Sequence, residues 1–378
     1  MYLSFSRITI FRFIFVIVLQ LVKQMMQRMG NANVPKCPEG IILGCGNSLL
    51  DMRVEVSPEF LKKWNLEENN AIIACDEHIP MFQELLDNYD ITYTPGGATQ
   101  NSLRVCQWIL NEPNRVVFFG CIGDDRYGNI LKEKVRQTGL RAYYQVKKNQ
   151  KTGTCAALIT NQHRSLCAHL AAANSFTIDH LEQPENRALI ETAQYFYISG
   201  FFLTVCPAAV ISIARHASEN NKVFATNLAA PFILKDFRNE FLEILPYVDI
   251  LFGNEREGRA FADANNYNTH DLQQICVKIA AFPKVNEKRQ RIVILTQGPD
   301  PTFVYQNGSN AVAEYPVIKL KHEEIVDTNG AGDAFVGGFL SQYIQKKSIA
   351  ESVKCGHYAA AAIIRQEGCT FPSTCLYH

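Results

Sequence analysis

No two of the twelve cysteines stand at CxxC spacing, no segment repeats, and no tract is of low complexity. The first absence argues against a zinc site or a thioredoxin-like motif. The cysteines are scattered, and most lie inside apolar segments such as 116–122, where a thiol behaves as a small hydrophobe. That usage fits a reduced, intracellular chain better than a secreted disulfide scaffold. Net charge is missing as well, with 37 Lys plus Arg against 37 Asp plus Glu. The balance conceals an asymmetry. Residues 1–36 hold Arg7, Arg12, Lys23, Arg28 and Lys36 and no acid, which leaves the remainder slightly acidic. Composition therefore makes no case for nucleic-acid binding. The uncharged run at 13–22 is shorter than the roughly 20 residues a spanning helix needs.

That run still has a signal-like shape, with Arg7 and Arg12 ahead of an apolar core. The residues just after it, Lys23, Gln24 and the methionines at 25, 26 and 29, are not the small residues of a cleavage site. Three readings stay open: an inessential extension, a tethering or targeting segment, and secretion. The expectation is a hydrophobic, basic extension over 1–36, outside the fold, and a single domain over 37–378. Deleting residues 1–28 is expected to leave activity intact and to improve solubility by removing an exposed apolar run.

With 47% hydrophobic and 20% charged residues, the chain can bury a sizeable core or two unequal lobes. From residue 41 short apolar runs alternate with amphipathic stretches. Strand-like runs lie at 41–45, 116–121, 195–202, 223–227, 249–252 and 292–296. Helical spacing marks 79–89, 102–110, 127–138, 208–218, 255–264, 272–282, 331–344 and 349–365. Such alternation predicts an α/β fold, a mostly parallel sheet with helices on both faces. The β-like material at 49–93 and 142–171 is expected to form a small lid. Ligands of such sheets bind beyond the carboxyl ends of the strands. Polar groups collect there: Asn47 and Asp51, Asn227, Asn254 and Glu257, Thr296 and Gly298.

The most informative stretch is Asp327-Thr328-Asn329-Gly330-Ala331-Gly332-Asp333-Ala334-Phe335-Val336-Gly337-Gly338-Phe339. A polar, glycine-rich segment runs straight into a small-residue helix. Asn329 is expected to cap it. Gly330 and Gly332 allow a tight bend and close approach of a ligand. Unpaired N–H groups and the positive end of the helix dipole make an anion site. Asp333, in the first turn, is placed to take a proton from a hydroxyl attacking phosphorus.

This stretch resembles the C-terminal signature of the ribokinase-like family of sugar and nucleoside kinases. Further motifs come in the family's order: Gly44-Cys45-Gly46-Asn47-Ser48-Leu49-Leu50-Asp51, Gly96-Gly97-Ala98-Thr99-Gln100-Asn101-Ser102, Ser199-Gly200-Phe201-Phe202-Leu203-Thr204 and Val248-Asp249-Ile250-Leu251-Phe252-Gly253-Asn254-Glu255. The resemblance runs from about residue 41 to 372 and is strongest to the adenosine-phosphorylating branch. It implies a ribokinase-like fold with a β-rich lid, and transfer of the γ-phosphoryl of ATP to the 5′-hydroxyl of adenosine. Asp333 would be the general base, with Gly330, Ala331 and Gly332 as anion hole and Arg164 neutralising phosphate charge. Asn47, Asp51, Gly96, Gly97 and Asn101 would bind ribose, and Phe202, beside Phe201, would stack on the base. Asn254 and Glu257 would hold Mg²⁺ through water. Thr296, Gly298, Asn329 and His357 would meet ATP. Ala71 departs from the glutamine common at that place. A sugar kinase is the rival within the family; the Phe201–Phe202 pair and apolar lid favour a purine. A monomer without stable membrane association is expected, in the cytosol and also the nucleus, since ATP and reduced thiols belong there.

Overall fold

The structure, a computed structural model, describes residues 37–377 apart from 69, 161 and 162. The extension expected over 1–36 lies outside the described residues. Among the described residues fourteen strands form two sheets. They are β1 (Ile42–Cys45), β2 (Leu49–Glu55), β3 (Ala71–Ile73), β4 (Thr92–Gly96), β5 (Val116–Gly123), β6 (Arg141–Lys147) and β7 (Gly153–Thr160). The rest are β8 (His163–His169), β9 (Tyr195–Ser199), β10 (Val223–Asn227), β11 (Ile250–Asn254), β12 (Ile292–Gln297), β13 (Asp300–Gln306) and β14 (Ala313–Tyr315).

The large sheet has the order β14-β13-β12-β11-β10-β9-β1-β5-β6. Its run from β12 to β6 is parallel, while β13 and β14 return antiparallel at one edge. Every residue of β5, Val-Val-Phe-Phe-Gly-Cys-Ile-Gly, is buried, as expected of a parallel strand covered on both faces. One apolar core runs through Leu43, Phe119, Phe196, Phe224, Leu251 and Val293 into the flanking helices. Four helices matter for the site: α1 (Ala98–Leu110), α2 (Glu255–Ala264), α3 (Ala331–Tyr343) and α4 (Ile349–Ile364). Among the described residues no helix is long and apolar enough to cross a membrane.

The small sheet, β3-β8-β7-β2-β4, is a five-stranded layer. Alternation along its strands gives it two different faces. Met52, Val54, Leu158 and Cys167 pack under the helix Ile79–Asn88 through Met81, Phe82 and Leu85. Leu49, Asp51, Cys155, Leu166 and Ala168 point the other way, into a cavity. Three expectations are corrected. Residues 142–147 belong to β6, paired in parallel with β5 at the edge of the large sheet, so the lid material begins only at β7 on that side. The helix expected from 102 starts at Ala98, which turns Gln100 and Asn101 from loop into first-turn residues. The strand expected over 195–202 ends at Ser199, where a 3₁₀ turn begins.

Candidate active site

Between the inner face of the small sheet and the carboxyl ends of the parallel strands lies a cavity of ≈370 Å³. Its polar lining comes from Asn47, Asp51, Asn101, Asn254, Glu257, Asn329 and Asp333, and its apolar lining includes Ile72, Leu166, Phe201 and Phe232. Asn47 lies in the three-residue link from β1 to β2. At Gly97, φ is +92°, and a Cβ there would overlap the Asn47 carbonyl oxygen. A glycine is therefore needed for α1 to start beside the link.

Helix α3 opens on Gly330, whose φ of +74° is left-handed, with no side chain bonded to the first turn. Asn329 is thus not the cap; its own N–H donates to Asp327 Oδ1 at 2.8 Å. Turned so that its amide oxygen faces Arg164, Asn329 accepts from Nη1 at 2.6 Å and Nη2 at 2.9 Å. Space opens beside Gly332, where an added Cβ would meet nothing within 4 Å. The Ala331 N–H, expected in the anion hole, donates to the Thr328 carbonyl at 3.3 Å, while Gly330, Gly332 and Asp333 line the cavity, so the helix start still offers an anion a place at Gly332 and Asp333.

Asp333 stands in that first turn and accepts from Asn101 Nδ2 at 3.1 Å. Burial raises its carboxyl to about 7; the Asn101 bond and Arg164 pull it down, and Asp51 pushes it up. Asp51, 5% exposed, is raised to about 6, chiefly by burial and against the pull of Arg164 and Arg104. Arg164 reaches across from β8. It lies 3.5 Å from Asp51 Oδ2 and 2.9 Å from Asp327 Oδ2, with both carboxylates buried. Asp327 also accepts from the Gly368 N–H at 3.0 Å. The guanidinium, beside Asp51 within the small sheet, thus ties that sheet to the glycine turn through Asp327.

Asn254 ends β11 and caps α2. Its Oδ1 accepts from the Glu257 N–H at 2.9 Å, and Glu257 accepts from the Asn254 N–H at 3.0 Å and Nδ2 at 2.7 Å. This reciprocal box fixes the carboxylate at the cavity margin. Burial, helped by Glu255 and Asp333, raises Glu257 to about 8, against the Asn254 bonds. Among the described residues no group of three or more His, Cys, Asp or Glu can hold a metal. One carboxylate and one amide beside a phosphate-sized space nevertheless suit a hard cation that keeps water and takes its other oxygens from a ligand.

Several sequence assignments move. Phe202, expected on the base, is 1% exposed and packs edge-to-face on Phe176 at 5.3 Å. Residues Gly200–Thr204 form a 3₁₀ turn, so its neighbour Phe201 faces the cavity, 6.0 Å from the ring of Phe232. Asn227 is a brace for that turn: its Oδ1 accepts from Ser199 Oγ and Gly200 N–H, both at 2.9 Å. His357 is a buried histidine bonded to Thr302 Oγ1 at 2.8 Å, outside the cavity lining. Thr296 bonds the Gly253 carbonyl at 3.3 Å, and Gly298, φ +56°, comes next in the β12–β13 turn. Gly96 underlies Asp51, whose carboxylate would collide with any Cβ there. Ala331 begins α3 beside the glycines. Sequence reasoning passed over Phe232, which had no signal beyond its aromaticity, and Arg104, a lone charge in the apolar run 102–110.

The profile of the pfkB family carbohydrate kinases matches residues 66–375. The chain belongs to that family. Among similar kinases are adenosine kinase 2 of Arabidopsis thaliana, 46% identical over 88% of this chain and 96% of the relative, and the adenosine kinase of Dictyostelium discoideum, 44% identical over 88% and 97%. The kinase fold superposes on Anopheles gambiae adenosine kinase in complex with P1,P4-di(adenosine-5) tetraphosphate, with TM-score 0.88 and 49% identity, covering 90% of this chain and 100% of that one. Schistosoma mansoni adenosine kinase in complex with 2-fluoroadenosine gives 0.86 and 34%, covering 89% and 98%.

Proposed function

We propose that this kinase transfers the γ-phosphoryl group of ATP to the 5′-hydroxyl of adenosine, giving AMP and ADP. The observation that carries the reading is Asp333, a carboxylate of raised proton affinity at a glycine-opened helix start, sharing one cavity with Asp51 and Phe201. The relatives' names support adenosine as the acceptor. Asp51 and Asn47 engage the ribose diol, since a carboxylate and an amide can together satisfy two vicinal hydroxyls. Phe201, with Phe232 and the lid residues Ile72 and Leu166, supplies an apolar slot for a flat base. Asp333 takes the proton as the hydroxyl oxygen bonds to phosphorus and the bond to ADP breaks. The N–H groups of α3 and the guanidinium of Arg164 neutralise charge on the moving phosphoryl group.

Glu257, with Asn254, would hold Mg²⁺ through water. There the ion would neutralise phosphate charge. Ribose-ring contacts by Gly97 and Asn101, a monomeric state, a place in purine salvage, and a cytosolic and nuclear location are parts of the same proposal. A coupled ADP-release assay across purine and pyrimidine nucleosides, free ribose and hexose phosphates tests it. Adenosine should give the highest kcat/KM. A sugar or sugar phosphate preferred over every nucleoside, or no turnover of adenosine, would overturn it.

A further inference from the structure

A second arginine lies beneath the site, and neither the reaction scheme nor the sequence motifs use it. Arg104 sits one turn after Asn101 on α1 and is 3% exposed. Its Nη1 lies 3.3 Å from Asn101 Oδ1, 3.1 Å from the Pro95 carbonyl and 3.2 Å from the Cys369 carbonyl. The guanidinium rests over the ring of Phe371 at 5.3 Å. Its hydrogen bonds all go to neutral acceptors, and burial disfavours its charge with the nearby Asp51 offsetting part of the cost, so its place in the fold calls for a use. Its partners point to one. An amide has one acceptor and one donor end. With Asn101 Oδ1 turned to Arg104, Asn101 Nδ2 must turn the opposite way, and there it meets Asp333 Oδ2 at 3.1 Å. The same guanidinium holds the Cys369 carbonyl. The Cys369 side chain lies against Gly330, with Cβ and Sγ 3.0 and 3.3 Å from where a Gly330 Cβ would be.

We propose that Arg104 is a positioning residue for phosphoryl transfer: it fixes the Asn101 amide that orients the Asp333 carboxylate, and through Cys369 it backs the glycine turn at the start of α3. This rests on Asp333 being the base. The arginine touches no reacting atom, so it acts through Asn101 on the chemical step and, because Asn101 also meets the ribose in the proposed function, on KM for the acceptor.

The test is a double-mutant cycle in the full chain. Arg104→Met and Asn101→Ala are compared singly and together for kcat and for KM of ATP and acceptor, with melting temperature measured in parallel. Arg104→Met should lower kcat by roughly 10- to 100-fold, the scale of a small misplacement in an active site, with KM for ATP little changed. Because the arginine acts through the amide, adding Arg104→Met to Asn101→Ala should cost much less than it does alone. Arg104→Lys, which keeps a buried donor, should recover part of kcat. Losses that multiply fully, or a raised ATP KM at unchanged kcat, would reduce Arg104 to a structural residue. If Arg104→Met does not fold, Arg104→Lys takes its place in the cycle: a kcat loss in the wild-type background that shrinks beside Asn101→Ala supports the proposal, and an equal loss in both overturns it. All variants are assayed on whichever acceptor the wild type phosphorylates best. Failure on adenosine alone thus refutes the acceptor and leaves the cycle readable. A wild type that phosphorylates nothing overturns both.

Discussion

A carboxylate in solution holds its proton only below about pH 4, and a base of that strength would be a weak one. Burial near Asp51 lifts Asp333 to about 7. The base is charged and competent above that value, so kcat/KM, which follows the free enzyme, should climb with pH through a midpoint near neutrality. Asp333→Asn should cut kcat by about 10²–10⁴ and leave adenosine binding in place. Near-normal turnover by that variant would end the base assignment. Stability is tied to the same proton. The folded state binds it more tightly than the unfolded chain, so this contribution is whole below about pH 4 and is lost as pH rises through about 7. Asp333→Asn should accordingly raise the melting temperature at about pH 8 and leave it unchanged at about pH 4. The paired phenylalanines make a second residue-scale prediction. Phe201→Ala should raise KM for adenosine, with a ring-contact loss of roughly 0.5–1.5 kcal/mol beyond burial. Phe202→Ala should instead destabilise the fold by about 3–5 kcal/mol, the range for a buried ring. A reversed pattern would restore Phe202 to the base. The motif marked both residues; which of two neighbours faces a ligand depends on a 3₁₀ turn braced by Asn227, and no local preference in the sequence encodes that brace.

At the scale of elements, most helix ends were readable, the start of α1 at Ala98 excepted. The bounds 255–264 agree with α2, where Asn254 and Glu257 supply a complete capping box written within four residues. Asn254→Ala should lower stability by about 1 kcal/mol, the usual value of such a cap, measurable as a shift in denaturant midpoint without a change in slope. Helix α3 was placed correctly too, although its start is closed by a left-handed glycine and not by Asn329. What the sequence left hidden was partnership. Residues 142–147 read as β in isolation, and nothing local says whether that strand joins the edge of the large sheet or the lid. Long-range register decides it, through Val117↔Arg141 to Gly123↔Lys147. Arg164 was similarly visible as a cation, while its seat between Asp51 and Asp327 joins residues more than a hundred positions apart.

Across the whole molecule the two sheets communicate through very short connections. Only Gly46, Asn47 and Ser48 separate β1 from β2, and only Gly97 separates β4 from α1. Arg164 spans the same gap by its bond to Asp327. Arg164→Met should therefore lower kcat and also leave the small sheet less firmly held, seen as faster amide exchange in β7 and β8 than in β9 and β10. Unchanged exchange would confine the arginine to phosphate chemistry. The connections carry one more consequence. Asn47 and Gly97, which line the cavity, are also the joints on which the small sheet would swing. A nucleoside seated against them is a shim in a hinge: the angle of the lid and the filling of the pocket become a single coordinate. Trp64, carried on the lid, and Trp108, carried on the body, are the two tryptophans of the chain. In a Trp108→Phe background the emission of Trp64 should trace the same saturation curve as substrate binding itself, with no separate phase for closure.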